Sequence, residues 1–137
     1  MNDALKIVNK MFEQDVFSQW LGIKIVEVEL GYCNLEMVVT KKMLNGFHIA
    51  HGGVAYSLAD TALAFAANTH GRKCISIETS ISHTRGVKEG DILIATTKEL
   101  SQTDKIALYT IIISNKEGQE VAYFKGTVYR TSKNWNI

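Results

Sequence analysis

The stretch GVAYSLADTALAFAAN, residues 53–68, decides how the chain folds. Val54, Ala55, Leu58, Ala59, Ala62, Leu63, Phe65, Ala66 and Ala67 fall on every side of a helical wheel. A helix that is apolar all round is a buried one. The run opens on His51-Gly52-Gly53 and carries one carboxylate, Asp60, in its middle. An ionised acid on such a helix costs several kcal/mol, on the order of 3–5, unless something pairs with it or uses it.

Outward from this helix the period changes from 3.6 to 2. After Gly22, IKIVEVEL places Val26, Val28 and Leu30 in alternation with Glu27 and Glu29, and Gly31 turns the chain into YCNLEMVVT. Such alternation marks half-buried strands, here joined as a hairpin. From Cys74 onward come CISIETSISHT, then DILIATTKEL after a Gly90-Asp91 turn, IALYTIIIS, and VAYFKGTVYR after NKEGQ. The count is five to six strands joined by short turns, which favours an antiparallel sheet. The one long insertion, residues 44–72, holds the helix. The expected class is α+β: a twisted antiparallel sheet wrapped around one central helix, the hotdog arrangement, with the helix's Ala-rich flank packed against a second copy. Leu5, Val8, Met11 and Phe12 recur at helical spacing, so an amphipathic N-terminal helix over residues 3–18 is expected as well.

Residues 1–137 read as a single domain, with no repeat, linker or proline. A net charge of +1 without a Lys/Arg block excludes nucleic acid and membrane surfaces as electrostatic partners. The N-terminus is interrupted by Asp3, Lys6, Lys10, Glu13 and Asp15, unlike a signal peptide or a membrane span, so a cytoplasmic protein is expected. Cys33 and Cys74 lie far apart without CxxC spacing and read as core thiols. His48 and His51 have no third ligand in range. No metal and no cofactor is therefore expected.

The start of the buried helix carries the chemistry. Two glycines at a helix N-terminus leave backbone N–H groups unobstructed at the positive end of the dipole, a site for anionic oxygen. The same glycines also serve a sharp turn and close helix–sheet contact. Asp60 has two readings too: a buried acid satisfied by its own fold, or a base or nucleophile. Gly52 and Asp60 are eight residues apart, roughly 12 Å along one helix. That is too far for both to serve one carbonyl group. Two helices packed antiparallel about a two-fold axis would bring the N-terminus of one beside the middle of the other.

MLNGFHIAHGGVAYSLADTALAFAANTHG, preceded by LGIKIVEVELG and followed by RGVKEGDILIAT, YTIIISN and VAYFKGTVYR, resembles the hotdog-fold thioesterases of the phenylacetic acid degradation (PaaI) type from about Asp15 to Arg130. The resemblance implies hydrolysis of an acyl-CoA thioester, aryl-acetyl or medium-chain. It implies a homodimer, or a tetramer built as a dimer of dimers, with sites at the subunit interface. The Gly52 amide would polarise the carbonyl beside Gly53, Asn45 and His51 would organise the loop, and Asp60 of the other subunit would act as base or nucleophile. Ser76 matches the polar partner that some members place beside the acid. Arg85 and Lys88 suit CoA phosphates, or are solvated surface charges. Where the family often reads Arg-Pro, this chain has Arg85-Gly86.

The remaining candidates are weaker in sequence. His70 and His83 read as ordinary surface or strand residues, Ser57 lacks a nucleophile-elbow setting, and Phe47, Tyr56 and Phe65 suit either an acyl pocket or the core. Two other functions compete: a hotdog dehydratase or hydratase, which needs a proton-abstracting His, and a non-catalytic acyl-CoA-binding protein with a structural Asp60.

Overall fold

A computed structural model describes residues 3–137. Helix α1 spans Ala4–Gln14 and α2 spans Val16–Leu21. They are followed by β1 (Lys24–Glu29), β2 (Tyr32–Val38), helix α3 (Gly52–Asn68), β3 (Arg72–His83), β4 (Ile92–Gln102), β5 (Ile106–Asn115) and β6 (Glu120–Asn134). The six strands form one antiparallel sheet in the order β1-β2-β4-β5-β6-β3. The long insertion carries the chain from β2 across the sheet to the far edge, so α3 lies in the concavity and β3 closes the sheet beyond β6. This is the hotdog arrangement that the period change predicts.

The sheet holds α3 because both sides are shaped for close approach. Leu58, Ala59, Ala62, Leu63 and Ala66 have no measurable exposure, and they meet Leu35, Leu93, Ala95, Tyr109, Ile111 and Ile113 of the sheet. Truncating a leucine such as Leu58 there would cost about 2–5 kcal/mol. At Gly126 of β6 an added Cβ would stand 2.4 Å from Leu63 Cδ2, so the helix rests directly on that backbone. The β1–β2 turn uses Gly31 at φ +70°, where a side chain would also strike Glu99.

Four local details differ from the expectation. The N-terminal helix is broken at Asp15, whose carboxylate accepts from the Ser18 N–H (3.0 Å) and the Ser18 hydroxyl (2.6 Å) and so caps a second helix. A short acid that bonds to the backbone competes with helix continuation. Leu5 points to solvent, whereas Val8 is buried and Met11 and Phe12 pack against the core as expected, with Ala4 and Ile7 joining the buried stripe. In β1 a bulge between Ile25 and Glu27 throws Val26 outward at 56% exposure, so that Ile25 and Val28 face inward. The open flank of α3 is not Ala-rich: Gly53, Ser57, Asp60 and Ala64 line it, while Ala55, Ala59, Ala62, Ala66 and Ala67 are buried in the protein's own core.

Of the two thiols, Cys33 is buried, donates to the Ala62 carbonyl (3.3 Å) and has its pKa pushed up to about 12 by burial. Cys74 is only half-buried, on β3. Phe65 is a core residue, packed edge-on to Phe12, whereas Phe47 is 84% exposed. Among the described residues no helix is long and apolar enough to cross a membrane.

Candidate active site

The loop before α3 is tied by its own side chains. Asn45 Oδ1 accepts from the Phe47 N–H (2.9 Å) and the Ile49 N–H (3.4 Å). This Asx-type turn holds His48 at φ 63°. The carboxamide nitrogen of Asn45 has no protein partner among the described residues and faces a cleft. His51 then caps the helix: its Nδ1 accepts from the Gly53 N–H at 2.9 Å. In the neutral ring the proton therefore sits on Nε2.

This cap changes the expectation that both glycine amides are free. The Gly53 N–H is taken by His51 and the Val54 N–H by the His51 carbonyl (2.9 Å), which leaves the Gly52 N–H as the amide of this turn without a protein partner. It lies at the positive end of a seventeen-residue helix, where an oxygen bearing negative charge is favoured.

The cleft holds about 420 Å³. Asn45, His51, Gly52 and Arg85 meet there, and apolar walls come from Ile49, Ala50, Ala55, Val87, Leu93 and Val121. Two backbone bonds seat its rim: the Ala50 N–H donates to the Val87 carbonyl (2.7 Å) and the Thr84 N–H to the Val121 carbonyl (2.9 Å). His83, read from sequence as an ordinary strand residue, also lines it, with Nε2 3.4 Å from where a Gly52 Cβ would stand. His70 is elsewhere, paired with Glu99 at 3.0 Å.

Asp60, Ser76, Gly53 and Lys88 are not at this cleft. Gly53 lies on the other side of the helix start, beside Phe17, Trp20 and Ser57. The Lys88 N–H closes the Gly90 turn onto Asp91 Oδ2 (2.9 Å), and its side chain is outside the cleft. Ser76 is on β3 opposite Val128 of β6, exposed. Asp60 is half-buried on the open flank of α3, two turns from Gly52. No hydrogen bond or ion pair reaches its carboxylate among the described residues. Burial raises its pKa above the ordinary value. Ser57 next to it is spent on the Gly53 carbonyl (2.7 Å). Among the described residues no three His, Cys, Asp or Glu side chains converge as metal ligands.

One antiparallel sheet around a buried helix, with an unpartnered amide at the helix start opening on a cleft, defines the class as a hotdog-fold protein. Residues 47–122 match the family model of the thioesterase superfamily. The chain is 38% identical to the acyl-coenzyme A thioesterase PaaI of Escherichia coli over 93% of its own length and 91% of that protein. It superposes on the E. coli PaaI structure with a TM-score of 0.94, at 35% identity and 96% coverage of both chains. A phenylacetic acid degradation protein PaaI from Thermus thermophilus gives 0.83 at 31% identity, covering 85% of this chain and all of that one. A Streptococcus mutans protein bound to acetyl-CoA gives 0.80 at 25% identity, with 82% and 91% covered. The chain thus belongs to the thioesterase superfamily, as a hotdog-fold thioester hydrolase of the PaaI type.

Proposed function

We propose that this protein hydrolyses acyl-CoA thioesters with aryl-acetyl or medium-chain acyl groups, in composite sites built by two copies of the chain. The observation that carries the reading is the split between Gly52 and Asp60. Among the described residues, one protomer has a cleft with a free amide and no acid in it, and an unpartnered, half-buried acid two turns along the same helix. A two-fold partner with its α3 antiparallel to the first cures both deficits. The edge strand β3 supports such pairing. Its outer backbone groups have no neighbouring strand, and Ile75 and Ile77 are 60% and 56% exposed, an arrangement that invites a second copy.

In this reading the thioester carbonyl accepts from the Gly52 N–H, and the partner copy's equivalent of Asp60 activates water or attacks the carbonyl carbon itself. The C–S bond breaks and CoA leaves as its thiolate; where water attacks, the acyl group leaves directly as the free acid, and where the carboxylate attacks, the resulting acyl-aspartyl anhydride is hydrolysed by water to the free acid and the regenerated carboxylate. A thiolate needs little help from an acid to depart. The apolar walls and the volume of the cleft suit an acyl group of this size, and Arg85 at its rim suits a CoA phosphate. The S. mutans protein bound to acetyl-CoA supports a CoA ester as the ligand class.

Thiol release from a panel of aromatic and aliphatic acyl-CoA esters, followed with Ellman's reagent, tests the reading. Asp60→Asn is expected to lose about 10²-fold or more in kcat. Equal rates in wild type and variant would overturn it.

A further inference from the structure

The imidazole of His83 faces the cleft because of one irregularity in β3. Before it, Cys74 and Ser76 stand opposite Arg130 and Val128 of β6. A bulge between Ser76 and Glu78 then shifts the parity by one residue. Beyond the bulge the odd residues turn towards α3: Thr79 meets the Tyr56 hydroxyl at 2.5 Å, Ile81 packs on the core, and His83 reaches the helix start. Strict alternation from Cys74 would have put Ser82 there instead.

At the helix start the nearest ring atoms to Gly52 are Nε2 and Cε1, 3.4 and 3.7 Å from the place of its missing Cβ. The amide nitrogen of Gly52 lies about 2.5 Å from that same point by standard backbone geometry. The amide and Nε2 are therefore at most about 6 Å apart, and an oxygen that accepts bonds of about 2.9 Å from two donors on its lone-pair sides spans about 5 Å, within that limit. Neither ring nitrogen of His83 has a protein partner among the described residues, and both groups line the same cleft.

We infer that His83 is the second donor to the thioester carbonyl oxygen, completing with the Gly52 amide a two-donor oxyanion site. This rests on the proposal that the Gly52 amide holds that carbonyl. The neutral ring donates through Nε2–H. When the carbonyl carbon is attacked, negative charge develops on the oxygen and both hydrogen bonds strengthen. When the C–S bond breaks, the oxygen returns to a carbonyl and the CoA thiolate departs. His83 keeps its proton throughout, so its contribution is electrostatic.

The test compares wild type, His83→Leu, His83→Gln and Asp60→Asn on one acyl-CoA ester. It adds the infrared C=O stretch of an isotope-labelled acyl-CoA bound to Asp60→Asn with and without His83→Leu. His83→Leu is expected to lower kcat by about 10²-fold with KM within about two-fold, because the donor acts on the developing oxyanion. Glutamine, which presents an N–H at nearly the reach of Nε2, recovers most of that loss. The bound C=O band moves to higher wavenumber when His83 is removed. The ring is exposed, so thermal unfolding should be unchanged. If Asp60→Asn is inactive but His83→Leu stays within about three-fold of wild type, or Leu and Gln lose equally, His83 only packs against Gly52 and the inference is overturned alone. Full activity in Asp60→Asn would overturn the parent reading and this inference with it.

Discussion

The two ends of α3 are built to opposite rules. At its C-terminal end the polar side chains of Asn68 and Thr69 are spent on the fold. Asn68 is buried: its amide donates to the Ala64 carbonyl (2.7 Å) and the Cys74 carbonyl (3.3 Å), while its oxygen accepts from the Cys74 N–H and the Trp135 indole, both at 2.9 Å. Thr69 donates to the Ala66 carbonyl and accepts from the Gly31 N–H, both at 2.7 Å. At the N-terminal end the Gly52 amide, the Asn45 carboxamide nitrogen and the His83 ring have no protein partner among the described residues, and all three face one cleft. One end fastens the helix to the sheet, and the other is left to bond with something that arrives.

The contrast would break most clearly at Gly52. This residue is the first of the helix, and His51 before it sits at φ −58°, ψ 141°, a conformation suited to the residue preceding proline. Gly52→Pro should therefore fold with stability within about 1 kcal/mol of wild type. It would delete the free Gly52 N–H, lowering kcat by about 10²–10³-fold. At the other end, Asn68→Ala should cost about 2–4 kcal/mol in denaturant unfolding, because the Trp135 N–H and the Cys74 N–H lose their acceptor. Its kcat per folded molecule stays near wild type. A Gly52→Pro protein that is unstable but active, or an Asn68→Ala protein that is stable but inactive, would reverse the assignment of the two ends.

Two smaller effects sharpen the picture. Arg85→Ala should raise KM for a CoA ester about 10-fold and leave the N-acetylcysteamine thioester, which has no phosphates, unaffected. Lys88→Ala, outside the cleft, should change neither. The Asp60 carboxyl is raised by burial and must be ionised to act as base or nucleophile. kcat/KM should therefore fall as pH drops through a value above the usual carboxylate range, and a pH–rate profile reads it directly. An acid limb at or below that range would mean that the partner copy's helix start, rather than burial, governs the charge of Asp60.

Much of this was legible in the chain, for reasons that differ by element. The buried helix could be read because Val54, Leu58, Ala62, Leu63 and Phe65 are spread round the wheel, and β4–β6 because their alternation runs unbroken for most of each strand. The departures in β1 and β3 each follow a bulge, at Val26 and at Ile77, which shifts the parity by one residue without a consistent mark in the sequence. For that reason the sequence does not show that His83, an exposed residue of β3, lines the cleft. Gly53 was misread because a histidine cap is not among the usual Ser, Thr, Asp and Asn signals.

The order of amino acids alone determined that one apolar helix must be enclosed by antiparallel strands, that a lone acid rides on it, and that glycines open it. Periodicity and the cost of burying charge are local and can be counted along the chain. Which amide stays free and which histidine looks into the cleft were decided only by the tertiary structure. These outcomes depend on strand register and on competition between hydrogen-bond partners brought together from distant parts of the chain, and neither is written in local pattern.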